Sequence, residues 1–358
     1  RVGPMVVVGE GGFADDTCPP DALVAVPDGR GGYAVGETLA EARRRAGKVQ
    51  GRNIPSALDH PVEVPPGPWD LVLQTTWVEP AYLETDASWC APGGVPASPC
   101  ANGGAFGGKV RSPVPGVARR LADELGRPVR VLWSREDVTR LGPKRPPVAA
   151  GVNADGRGAL RVGIGRGGID AGAWAAVVEE VGAVAPHLSV EAVDIAGPPV
   201  SLDLRAAVWA EAAVLEAASR WVGMNEPSEM VEVHAPEGGR AAVRLIAGGP
   251  VEVTVDAGQP LDEVVLRSYC IGAVHQALGW VLSEGVALDE QGEVRDLTIR
   301  SFGILPARAM PEVRVSVQPS AGPPVNGSDA VFAAAAAACW VSHGLPPAWP
   351  LERSGPRS

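Results

Sequence analysis

Aromatic residues are scarce in this 358-residue chain, at 5%, with only three tyrosines and four phenylalanines. Its core must therefore be filled by Ala, Val and Leu. A hydrophobic share of 46% against 20% charged residues leaves enough for an ordinary globular interior. Positive charge is also in deficit: 31 Lys and Arg stand against 42 Asp and Glu, a net charge of −11. That balance argues against a nucleic-acid backbone or an acidic membrane surface as partner and favours a small molecule or another protein. The five cysteines, Cys18, Cys90, Cys100, Cys270 and Cys339, are odd in number and contain no C-x-x-C pair. Neither a disulfide framework nor a zinc site is expected, and a reducing, cytoplasmic setting fits best. His60, His187, His234, His275 and His343 share no metal-ligand spacing, so no metal site is expected among them. Long apolar runs are missing too. The longest, Ala330 to Val341, is too short to span a bilayer, and Arg1 to Glu10 lacks the pattern of a signal peptide.

Glycine and proline are abundant, 45 and 35 residues, which implies many turns. Thr38 is a candidate N-cap for a helix from Leu39 to Lys48. Asp59 to Pro68 is a Pro-rich connector. Residues 69–90 alternate as two strands, and 91–104 read as a loop. Val114 to Leu125 has the pattern of a helix and Val129 to Ser134 that of a strand, followed by a charged turn, Arg135-Glu136-Asp137. Asp155-Gly156 signals a hairpin between Val148 and Val162. Ala206 opens a helical periodicity to about Val222, and Val264 to Leu282 is a long one. Val251–Val255 and Val313–Val317 alternate as strands. Ser328 or Asp329 is expected to cap the Ala-rich helix that follows. The mixture predicts an α+β fold with mixed sheets and packed helices.

One string stands out, Gly103-Gly104-Ala105-Phe106-Gly107-Gly108-Lys109. Upstream lies Val78-Glu79-Pro80. Downstream come Arg127-Pro128-Val129-Arg130 leading to Arg135-Glu136-Asp137, then Lys144-Arg145-Pro146, Asp155-Gly156 and Asp170-Ala171-Gly172-Ala173-Trp174. Further on lie Gly272-Ala273-Val274-His275-Gln276-Ala277-Leu278-Gly279, Leu305-Pro306 and Met310-Pro311-Glu312. In kind and order these pieces resemble the molybdopterin-binding large subunit of the xanthine dehydrogenase/aldehyde oxidase family, in shortened form. The resemblance implies that subunit's fold. It also implies a reduced "hammerhead" domain over 1–65, and two halves of a molybdopterin domain over 66–200 and 201–350. It makes Gly104, Phe106, Gly107, Gly108 and Gln276 the cofactor-binding positions. In the family, a Glu acts as base while the cofactor hydroxylates a carbon.

The chain departs from that pattern in three places. The family's G-x-G-E-P-P loop reads Asn326-Gly327-Ser328-Asp329-Ala330, with Ser328 at the Glu position. Between Thr85 and Asn102 there is no Gln loop. Arg205 runs straight into Ala206-Ala207-Val208-Trp209, without the family's glycines and Gln, and Tyr269 replaces another Gln. These losses fall in one cofactor site. They imply no cofactor and an enzyme reusing the pocket for acid–base chemistry, such as cyclisation, isomerisation or elimination, in bacterial secondary metabolism. Asp329 is then the candidate base, His275 the candidate acid, and Ser328 a further candidate. Glu79, Glu84 and Asp86 form an acidic cluster that most simply reads as a solvated face. Two alternatives remain open. One is a molybdenum hydroxylase carrying molybdopterin or molybdopterin cytosine dinucleotide, with iron–sulfur and flavin partner subunits. The other is a non-catalytic scaffold paired with a related chain. A homo-oligomer or a complex with a related subunit is expected in each case.

Overall fold

The computed structural model describes residues 12–14, 16–47, 57–80, 84–223, 230–294 and 296–351. Strands β1 (Leu23–Pro27) and β2 (Tyr33–Gly36) form an antiparallel hairpin. The Asp28 carboxylate ties its turn by accepting the amides of Arg30 and Gly32. β1 also pairs in parallel with β5 (Val129–Leu132), Leu23 lying opposite Val129, and β4 (Ala87–Cys90) closes the far side. The sheet order is β2-β1-β5-β4. This sheet takes strands from both sides of residue 65. A division of the chain at that point does not coincide with a sheet boundary.

Helices α1 (Leu39–Ala46) and α2 (Val114–Leu125) pack on this sheet. Thr38 caps α1 as its sequence suggests, its side chain accepting the Glu41 amide. The expected charged turn at 135–137 is instead the start of a helix, α3 (Arg135–Leu141). Ser134 and Asp137 form a reciprocal capping box there, and Val138 is buried in the core.

The second sheet has the order β3 (Leu71–Gln74), β6 (Val148–Val152), β7 (Gly158–Ile164), β8 (Leu188–Asp194). The hairpin at Asp155-Gly156 sets Val148 opposite Val162, the register its sequence implies. Helix α4 (Ala171–Val184), capped by Asp170, makes the crossover between the parallel strands β7 and β8. The third sheet runs β12 (Val313–Val317), β11 (Val251–Asp256), β10 (Arg240–Leu245), β9 (Val231–His234). Between β11 and β12 lies α6 (Glu263–Leu282).

Two helices complete the interior. α5 (Trp209–Ser219) packs on α4 and β6, and α7 (Gly327–Ser342) packs on α5, α6 and the third sheet. Every residue of α7 from Ala330 to Val341 is buried. Methyl-sized side chains let neighbouring elements approach α7 from all sides, which is how a chain poor in aromatics closes its core. Its N-cap is Asn326, not Ser328 or Asp329, both of which fall in the first turn. α5 begins at Trp209 rather than Ala206. Ala206 and Val208 have positive φ (52° and 74°), so the chain makes a tight turn there before the helix starts. Among the described residues no helix is long and apolar enough to cross a membrane, and no group of three or more His, Cys, Asp or Glu is placed to hold a metal ion.

Candidate functional site

The turn ahead of α5 aims Arg205 into a cleft bordered by the glycine-rich loop, α6 and the start of α7. Arg145 holds this turn in place. Its guanidinium makes a two-pronged ion pair with Glu211, 2.8 Å at each prong, and donates to the carbonyls of Arg205 (2.7 Å) and Ala206 (3.4 Å). Glu211 in turn accepts the Val208 amide at 2.8 Å. A β-branched residue at φ 74° costs about 1–3 kcal/mol and persists only where its surroundings fix it. The Arg145–Glu211 pair supplies that restraint.

Arg205 is the hub of the site. Its Nε lies 2.9 Å from Asp329 Oδ1, one terminal nitrogen donates to Gln276 Oε1 (2.6 Å), and the other donates to Ser328 Oγ (3.2 Å). Its guanidinium carbon sits 5.2 Å from the centre of the Phe106 ring, and its amide donates to the Phe106 carbonyl (2.7 Å). Burial lowers the Arg205 pKa, and Asp329 beside it opposes that shift. Asn326 braces the far side of Asp329 with a 2.7 Å hydrogen bond.

The glycine-rich loop is a pair of tight turns. The amides of Gly107 and Lys109 donate to the Gly104 carbonyl, that of Gly108 to Ala105, and that of Val110 to Gly107. Gly107 has φ 96°, and a Cβ built on it would lie 1.6 Å from the Asp203 carbonyl oxygen. Only glycine fits so close a backbone approach. Lys109 is buried, and desolvation lowers its pKa.

Beneath Arg205 lies a cavity of about 60 Å³. Its walls include Phe106, Trp280 and Phe332, the last two stacked at 5.2 Å. Glu79, Arg145, Gln276 and Glu284 supply its polar groups. Glu79 is paired with Lys144 at 2.9 Å, both side chains fully or almost fully buried. Glu284 is half-buried and lines the cavity, and desolvation pushes its carboxyl up to about 8. The Cys270 thiol on α6 is pushed by burial to about 11, so it is no nucleophile at neutral pH.

Of the residues singled out from sequence, Phe106, Gln276, Ser328 and Asp329 meet around Arg205, and Gly104, Gly107 and Gly108 shape the turn beside them. His275 does not join them. Its Nε2 bonds the Leu305 carbonyl at 2.7 Å, while Asp329 is taken by Arg205 and Asn326. Consecutive helix positions point about 100° apart, so Gln276 can face the cleft only if His275 turns away. The expected His275–Asp329 acid–base pair is therefore not formed. The acidic cluster also disperses: Glu84 is exposed, Asp86 is buried and accepts a hydrogen bond from Ser112, and Glu79 holds Lys144. The sequence motifs assign no role to Arg205 and do not include Glu284. A carboxylate just past the apolar end of α6, Trp280-Val281-Leu282, was the available signal for the second.

No family model matches the chain, and no curated protein matches it in sequence. Its structure is similar to quinoline 2-oxidoreductase from Pseudomonas putida 86, with a TM-score of 0.52 and 11% identity over 79% of this chain and 75% of that one. It is also similar to the aldehyde oxidoreductase from Desulfovibrio desulfuricans ATCC 27774, with a TM-score of 0.55 and 10% identity over 87% of this chain and 66% of that one. At such identity the likeness shows the fold alone. That fold is the molybdenum-hydroxylase large-subunit type, α+β with mixed sheets, as the sequence resemblance implies.

The group that the family resemblance implies is a molybdopterin. In the arrangement described, the residues at the matching positions do not fit one. The amides of Gly107, Gly108 and Lys109 are used within the loop, Gln276 Oε1 and Ser328 Oγ are taken by Arg205, and Gly107 is backed against Asp203. The cavity has room for a few waters (about 10–15 Å³ each by this kind of measure), whereas cofactor sites usually run to about 300–1,000 Å³.

Proposed function

We propose that the cleft beneath Arg205 is a small-molecule site at which this chain does acid–base chemistry on a molybdenum-hydroxylase fold. The observation that carries the reading is the Arg205 hub itself. One guanidinium gathers Asp329, Ser328 and Gln276 over Phe106 at the mouth of an aromatic-walled cavity. Asp329 is the base, held by Arg205 and Asn326, and Ser328 is a hydrogen-bond donor beside it. The ligand is a compact molecule, or one end of a longer one entering past Phe106, which is 45% exposed. The test is substrate-independent at first: ligand-observed NMR screening of small polar compounds against the wild type and Arg205→Ala. Loss of all cleft binders in the variant is expected; unchanged binding would move the site elsewhere.

A second reading is a molybdenum hydroxylase large subunit, which the fold likeness to two oxidoreductases favours over any specific cofactor-free reaction. It requires Arg205 to leave its partners and the glycine-rich loop to open. It also brings in iron–sulfur and flavin partners, since the chain has no cysteine cluster of its own. Elemental analysis of protein made in a host competent for the cofactor separates the two, about one molybdenum per chain supporting the second. Assembly with another copy or a related subunit accords with the apolar residues exposed at the start of α6, Leu261, Val264, Val265, Tyr269 and Ile271. The division into 1–65, 66–200 and 201–350 remains a proposal.

A further inference from the structure

The charges around the cleft can be counted. Lys144 is matched by Glu79 (2.9 Å), Arg145 by Glu211 (2.8 Å) and Arg205 by Asp329 (2.9 Å). His275 is turned to the Leu305 carbonyl. Pro80, Phe106, Trp280 and Phe332 bring no titratable group. Three cations thus meet three carboxylates, and Glu284 is left over. Among the described residues its carboxyl has no hydrogen bond or ion pair. It lies against the backbone of Gly279, where a Cβ would come within 2.1 Å of Oε1. A half-buried carboxylate in an aromatic-walled cavity with no counter-ion is unfavourable, so the position opposite Glu284 is one that a positive charge would fill.

From this surplus we infer that the cleft takes a small ammonium ligand, a primary or secondary amine, with Glu284 as its counter-ion. The inference rests on the reading of the cleft as a small-molecule site and specifies the class of ligand. The alkyl part lies among Phe106, Trp280 and Phe332, and the nitrogen meets Glu284 and the Gln276 amide region. If the amine enters uncharged, one proton passes from the Glu284 carboxyl to its nitrogen, giving carboxylate and ammonium; nothing else is consumed. Among the described residues, the cations at the cleft, Lys144, Arg145 and Arg205, are each already paired, which disfavours an anionic ligand.

The linkage is specific. Burial pushes the free Glu284 carboxyl to about 8, and the ammonium binds its ionised form. Affinity for the amine therefore rises about tenfold per pH unit from pH 5 until it levels near pH 8. The probes are n-propylamine, the neutral n-butanol and the anionic butyrate, titrated by ligand-observed NMR against the full chain. Propylamine is expected to bind best, with that slope. Glu284→Gln should weaken it about tenfold or more at pH 8 and flatten the profile, and Glu284→Asp should keep the slope. Should the Gln variant fail to fold, the wild-type profile still decides: a flat one overturns the proposal. Equal binding of propylamine and butanol, or preference for butyrate, overturns the charge assignment while leaving the cleft a ligand site. Saturable binding of none of the three overturns both.

Discussion

Two arginines, Arg145 and Arg205, meet at the turn ahead of α5 and play different roles. Arg145 and Glu211 are 9% and 0% exposed; Arg205 and Asp329 are 12% and 19% exposed. The first pair faces inward, and four of the five Arg145 N–H groups go to Glu211 and to the carbonyls of a strained turn. The second pair stands at the rim of the cleft, and Arg205 shares its donors among Asp329, Ser328 and Gln276, the last of which lines the cavity. Small differences in exposure thus separate a pair that shapes the backbone from one available for chemistry. Buried charge is informative about function only when its partners are counted.

The largest expected effect breaks the inward pair. Glu211→Gln leaves Arg145 buried without its counter-ion and frees the turn at Val208; a loss of about 3–5 kcal/mol is expected by chemical denaturation. A loss below 1 kcal/mol would show that the turn holds itself. Next comes pH. The Glu284 carboxyl titrates at about 8 in the folded chain, above its ordinary 4.5. Between those values the folded state keeps a proton that the unfolded state has lost, so stability falls as pH rises through this window and is level above it. The whole drop is at most a few kcal/mol. Glu284→Gln should remove this part of the slope, as read from denaturation midpoints at pH 5 and pH 8; an identical slope in the variant would place Glu284 in solvent.

Gly107→Ala should cost about 1–3 kcal/mol and shift Phe106, because the added methyl meets the Asp203 carbonyl. Thermal unfolding checks the cost, and Arg205-dependent ligand binding checks the shift. A smaller effect on stability is expected of Asp329→Asn, about 1–2 kcal/mol, because it removes the partly buried counter-ion of Arg205 while the cap of α7 stays with Asn326. The same variant should lower any acid–base turnover by roughly two orders of magnitude. An active Asn variant would return Asp329 to holding Arg205 in place. Together these outcomes either keep the two pairs distinct or merge them into one structural network.

Much of the architecture is legible in the chain. Local signals carry it where the structure is locally determined: the Thr38 cap, the helix Val114–Leu125, the hairpin at Asp155-Gly156 and the strand Val313–Val317 appear at or within a residue or two of their expected places. The Arg135–Leu141 helix was hidden because its first turn is all charge and its apolar contacts come later. The start of α5 was hidden because Ala206 and Ala207 fit a helix in isolation, while Arg145, sixty positions upstream, forces the turn. The site was partly legible for the same reason. The motifs bring Phe106, Gln276, Ser328 and Asp329 together, but motifs say nothing of which donor each will meet. That Arg205 claims three of them, and that Glu284 is left without a counter-ion, depends on long-range packing.

The parallel pairing of Leu23 with Val129 has a consequence for synthesis. β1 leaves the ribosome about a hundred residues before β5 and has only its hairpin partner until β5 is made, so the first sheet cannot close before then. Until then the inner edge of β1 is an open template for any passing strand. A protein cut just before Tyr33 would carry that exposure permanently on β5 instead, and should be recovered in aggregates even if the cleft, built almost wholly from later residues, were intact.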